Sequence, residues 1–145
     1  MDLSHVRRYP RRVRLHLLAP MLLLHVAAAQ PDPGYELVPS PPTAARAGKP
    51  ATLSLTVLPH AGHRLLASAP LEVRVTADGA TLPRPSLHRE DAIDPRAEAP
   101  RFEVPFVAAA PGRARIDAEC TFYLCRGERC RPVIDRVSWT VEIAR

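Results

Sequence analysis

Three cysteines, Cys120, Cys125 and Cys130, form a C-x4-C-x4-C series, and sulfur is the most reactive element in this chain. Two thiols at bonding distance can form a disulfide and exchange electrons with another protein. Their local pattern sorts them. Ile116, Ala118, Cys120, Phe122 and Leu124 alternate with Arg115, Asp117, Glu119, Thr121 and Tyr123, the period of a strand buried on one face. Cys120 falls in the apolar register and is expected in the core, whereas Cys125 lies five positions on and turns to the opposite face. Five strand residues span roughly 16 Å, well beyond the ~7 Å between Cα atoms that a disulfide tolerates. Cys120 and Cys125 therefore do not pair on this strand.

Cys125 and Cys130 are placed differently. Arg126-Gly127-Glu128-Arg129 reads as a four-residue hairpin loop, with Gly127 able to take a positive φ. The flanking cysteines then face each other on neighbouring strands at about 4.5–5.5 Å between Cα atoms, which permits a bridge. The same register sets Cys120 opposite Asp135. One accessible pair and one buried thiol are expected.

Three uses for the pair stay open at this point. A six-residue loop gains only about 2 kcal/mol from cross-linking, and a mature chain of about 116 residues can stabilise itself through its core. Arg126, Arg129 and Arg131 surround the pair in sequence, and positive charge favours a thiolate. These points support redox exchange, against which Glu128 works locally, and Tyr123 on the outward face is either a shield for the pair or a plain surface residue. An ordinary structural staple needs nothing beyond the two sulfurs. A thiol-bound metal is the third reading, and it lacks a histidine near these cysteines in sequence.

The other clusters with ligand chemistry are His60 with His63, and His88 with Glu90, Asp91 and Asp94. Their plain readings are a turn and a solvated charge run. No G-x-S-x-G elbow surrounds a serine and no phosphate-binding glycine loop occurs. No cofactor and no metal is expected.

The elements that must position the cysteines are strands. Leu53, Leu55 and Val57, then Leu71, Val73 and Val75, then Phe102, Val104 and Phe106, and finally Val137, Trp139, Val141 and Ile143 all alternate with polar residues. Alternation of this kind implies antiparallel sheets with one face buried. Turn signals at Pro59 to Gly62, Asp78-Gly79 and Pro111-Gly112 separate the strands. The sum predicts an all-β, antiparallel, immunoglobulin-like β-sandwich over 47–145. Pro105 puts its strand at an edge or a bulge, and Leu82 to Pro100 reads as a long surface loop. Trp139 is expected in the core.

Before the sandwich, 30–46 is a Pro/Ala-rich linker in which Tyr35-Glu36-Leu37-Val38 is the candidate for a first strand. Residues 1–29 have the layout of a cleaved signal peptide. Arg7, Arg8, Arg11, Arg12 and Arg14 precede an apolar stretch from Leu15 to Val26, and Ala27-Ala28-Ala29 follows. Those five arginines also carry most of the +5 formal charge. Without the leader, 15 basic and 14 acidic residues remain, too even a balance for nucleic-acid binding. No apolar run reaches the roughly 20 residues of a spanning helix. Export to the periplasm or beyond places the cysteines in an oxidising compartment.

Phe102-Glu103-Val104-Pro105-Phe106, Pro111-Gly112, and Phe122-Tyr123-Leu124-Cys125-Arg126-Gly127-Glu128-Arg129-Cys130-Arg131-Pro132 together resemble the periplasmic N-terminal domain of the thiol–disulfide interchange protein DsbD. His60 to His63 and Leu71 to Val75 resemble it more loosely, so the likeness covers about 47–145. It implies an immunoglobulin-like sandwich whose cysteine pair, here Cys125 and Cys130, takes electrons from a membrane electron donor. It also implies periplasmic thiol–disulfide proteins as the recipients.

Overall fold

The computed structural model describes residues 28–145; the signal-peptide reading rests chiefly on 1–27, which lie outside the described residues. The unit Pro31–Arg145 is an antiparallel β-sandwich. Its smaller sheet has the order β1-β2-β6, from β1 (Tyr35–Ser40), β2 (Pro50–Pro59) and β6 (Arg101–Val107). The larger sheet is built on two 15-residue strands, β7 (Gly112–Arg126) and β8 (Arg129–Ile143), paired along their whole length. On the other side of β7 lie β4 (Glu72–Asp78) and, beyond its end, the short β3 (His63–Leu65). β5 (Ser86–His88) continues the sheet outward from β4.

The period-two pattern explains these elements. Leu53, Leu55, Val57, Phe102, Val104 and Phe106 of the small sheet are buried, and so are Val73, Val75, Ile116, Phe122, Trp139 and Val141 of the large one. Each side chain of this kind contributes about 1.5–3 kcal/mol when removed from water, which holds the two faces together. Trp139 is 5% exposed, as its register predicts.

Proline marks the edges. Pro105 lies on β6 and Pro39 on β1, the two outer strands of the small sheet. An edge strand can lose a ladder donor without harm. β1 pairs with β2 over six residues, and Arg46 bridges to Ala144. The ordered sandwich therefore begins well before 47, the boundary that proline content suggests. The stretch from Leu82 to Pro100 likewise contains β5 and one 3₁₀ turn (Arg89–Asp91), with Leu87, Ala92 and Pro100 buried. It is anchored at intervals rather than being one long loop.

Candidate functional site

The hairpin joining β7 to β8 is tighter than its sequence suggests. Arg126 and Arg129 are themselves a ladder pair, so the loop is only Gly127-Glu128 rather than four residues. Gly127 has φ +57°, and among the described residues only glycines take positive φ. A positive φ at the first loop position alone is the pattern of a II′ turn, whose twist matches the strands it joins. Shortening the loop leaves the register unchanged. Cys125 faces Cys130 and Cys120 faces Asp135, both as expected.

Cys125 and Cys130 are joined by a disulfide, with Cα atoms 3.9 Å apart, closer than the separation expected from ladder geometry. The two sulfur-bearing residues are not equally accessible, which corrects the expectation of an open pair. Cys125 is 0% exposed, while Cys130 is exposed. The cause is their position in the sheet. Cys125 is on an inner strand with β8 on one side and Arg64 of β3 directly opposite on the other. Arg64 donates to the Gly127 carbonyl at 3.4 Å, so its stem runs along that flank of Cys125. Cys130 is on β8, whose other side is an open edge.

Pleating also sorts the neighbours that sequence groups together. Tyr123 shares the outward face with Cys125 and is 39% exposed, opposite Pro132. Arg126, Arg129 and Arg131 alternate to the reverse face of the ribbon, so they do not crowd the disulfide itself. With His63, Leu124 and Cys130 they line a small cavity of about 210 Å³. Among the described residues, Arg64, Arg126, Arg129 and Arg131 make no ion pair with a carboxylate. Arg131 donates instead to the Pro33 carbonyl.

His63 reaches this cavity through β3, where it pairs with Arg126. Its ring lies against Gly34, where a Cβ would come within 2.5 Å of it. Gly34 also has φ +86°, so side chains are excluded there for two separate reasons. A connected turn fixes the segment. Asp32 accepts from the Gly34 amide at 2.8 Å and lies 2.7 Å from His60 Nδ1. The Gly34 amide, then His60, hold the Asp32 carboxyl below the usual carboxylate range. Sequence spacing gave no sign of His63 near the cysteines, because a three-residue strand carries too little periodicity to read.

The other ligand-type residues serve local structure. Asp91 accepts from the His88 amide at 2.8 Å and from Arg84, and these bonds depress its carboxyl, the amide most. Asp94 accepts from the Arg96 amide at 2.9 Å. Among the described residues no three His, Cys, Asp or Glu side chains gather as a metal site would require.

Cys120 is 0% exposed. Burial, with Asp135 and Glu119 adding to it, pushes its thiol up to about 12, so the nucleophilic thiolate is suppressed. Tyr35 from the opposite sheet donates to Asp135 Oδ2 at 2.7 Å and packs edge-on against Phe122 at 5.1 Å. Desolvation, and then Asp135, raise its phenol to about 12. This polar clasp between the sheets links residues 100 positions apart and was not visible in the sequence.

No family model matches the chain, and no curated protein matches it. Among solved structures it is similar to a cohesin module from Clostridium perfringens ATCC13124 family 33 glycoside hydrolase, with 8% sequence identity and a TM-score of 0.46. The match covers 76% of this chain and 96% of that one.

Proposed function

We propose that this chain is an exported thiol–disulfide exchange domain that carries electrons through Cys125 and Cys130, as its resemblance to the N-terminal domain of DsbD implies. The observation that carries the reading is the asymmetry of the pair: one bonded sulfur residue is exposed on an open edge strand, while its partner is sealed. That is the arrangement a two-step exchange uses. In the reduced domain the Cys130 thiolate attacks a partner disulfide, forming a mixed disulfide and releasing one partner thiolate. The Cys125 thiolate then attacks Cys130 Sγ, closing the bridge and releasing the second partner thiolate. The partner gains two electrons and the domain loses two. A dithiol donor, on this reading a membrane electron donor, restores the reduced form by the same steps in reverse. Periplasmic or secreted localisation is supported by the leader layout, and the bridge is compatible with it.

The rival is a binding or scaffold module in which the bridge only fixes the hairpin. The reduction potential separates the two. In the chain carrying Cys120→Ala, exchange chemistry predicts a value near −200 mV, whereas a staple lies below about −300 mV. Cys125→Ser should trap a mixed disulfide through Cys130, and Cys130→Ser should not. A potential in the staple range, or equal trapping by both variants, overturns the proposal.

A further inference from the structure

The end of the β7–β8 ribbon concentrates positive charge that the protein does not neutralise. Arg64, Arg126, Arg129 and Arg131 have no carboxylate partner among the described residues, and Glu128 is the single acid in the turn. Arg46, Arg89, Arg96, Arg101 and Arg145 also lack such a partner, but they are spread along the chain, whereas these four meet at one ribbon end. Arg74, Arg84, Arg113, Arg115 and Arg136 each pair with Asp or Glu. Four like charges on one hairpin end repel one another, and a stability requirement alone would have them interspersed with acids. A field of one sign beside a reactive group instead steers a partner of opposite charge.

The shape of the basic surface narrows the partner further. The cavity beside Cys130, about 210 Å³, is smaller than the roughly 300–1,000 Å³ of small-molecule sites. It adjoins, through the shared His63, a second cavity of about 600 Å³ whose walls include Arg64, Arg89 and Arg96 against one acid, Glu98. Positive surface thus continues from the cysteines along β3. Such a run fits an extended acidic segment better than a compact anion. On the outward face Tyr123, Pro132 and Ile134 are exposed next to the bridge, and Ile134 is 69% exposed. They offer apolar contact on the face of the bridge itself, while Arg126, Arg129 and Arg131 lie on the reverse face of the same ribbon end.

We infer that the partner of this pair is a protein whose exchanging disulfide is flanked by Asp and Glu side chains, which the Arg129 and Arg131 end of the hairpin selects. The inference rests on the exchange reading above. Charge then acts mainly on the association rate, because guanidinium and carboxylate groups attract before the sulfurs meet.

The test uses three synthetic peptides of one length, each with a single intramolecular disulfide flanked by aspartates, serines or lysines. Their oxidation of the reduced Cys120→Ala chain is followed by loss of free thiol. The aspartate peptide should react at least about tenfold faster than the lysine peptide at low ionic strength, and the gap should shrink as salt screens the charges. Arg129→Glu with Arg131→Glu should reverse the order of the peptides, while Arg129→Lys with Arg131→Lys should keep it. Rates indifferent to peptide charge, salt and these variants overturn the acidic-partner inference and leave the exchange reading standing. A faster reaction with oxidised glutathione than with the aspartate peptide overturns it too, in favour of a small anionic disulfide. A pair that neither the peptides nor dithiothreitol can exchange with overturns both.

Discussion

Two stretches of the same large sheet treat arginine in opposite ways. Midway along the outer face, Glu119 accepts from Arg136 Nε at 2.8 Å and lies 4.0 Å from Arg74, which also pairs with Glu72 at 3.2 Å. Next to it Asp117 takes both Arg115 and Ser138. Every charge there has an opposite within reach. At the hairpin end the guanidinium groups of Arg64 and Arg131 bond only to backbone carbonyls, those of Gly127 and Pro33. The middle of the sheet is a closed charge ladder that needs no other molecule. The end is an open one, and it is the end that carries the bridge.

The contrast can be broken by experiment. The largest effect is expected from removing the bridge. Cys125→Ala with Cys130→Ala should lower unfolding free energy by about 2 kcal/mol in urea titration, with the sandwich still folded. Loss of the folded state would make the hairpin end a structural keystone and erase its distinction from the middle. A smaller effect is expected from Glu119→Gln, which weakens two ion pairs at once and should cost up to about 1 kcal/mol in low salt. Arg129→Gln should stay within about 0.5 kcal/mol of the parent. If Arg129→Gln costs more than Glu119→Gln, the hairpin arginines are stabilising and the open-ladder description fails.

The smallest effect concerns acid. Bonds from Arg115, then Ser138, hold the Asp117 carboxyl below its ordinary value. A group depressed in the folded state stabilises fully above its unfolded pKa of about 3.9 and loses that contribution as pH falls through the lower folded value. Asp117→Asn should therefore flatten the stability profile below about pH 4, read by thermal unfolding across acid buffers. The profile of Arg129→Gln should overlay the parent. A flattened curve for Arg129→Gln would reveal a carboxylate partner at the tip.

The alternation of Ile116 to Leu124 and of Val137 to Ile143 made the long strands legible, because burial on one face writes a period of two into the sequence. The pairing of Cys125 with Cys130 and of Cys120 with Asp135 was also legible. A hairpin with symmetric flanks fixes register even when its loop is read two residues too long on balance, since Arg126 and Arg129 simply extend the ladder. What escaped was non-local. The sealing of Cys125 depends on Arg64, and the approach of His63 depends on Gly34, which are neighbours only after folding. The clasp from Tyr35 to Asp135 is of the same kind. Tyr35 to Val38 was legible as a candidate strand, which β1 extends through Pro39 because an edge strand accepts proline, whereas short β5 was lost in a charged stretch for want of length.

The interior position of Cys120 has one more effect. Three cysteines allow three pairings, and shuffling among them would normally scramble a small oxidised domain. A thiol held in the core and kept protonated cannot enter that competition. The oxidised chain has a single covalent isomer, and a thiol reagent applied to the folded, reduced protein should reach Cys130 ahead of the two buried sulfurs.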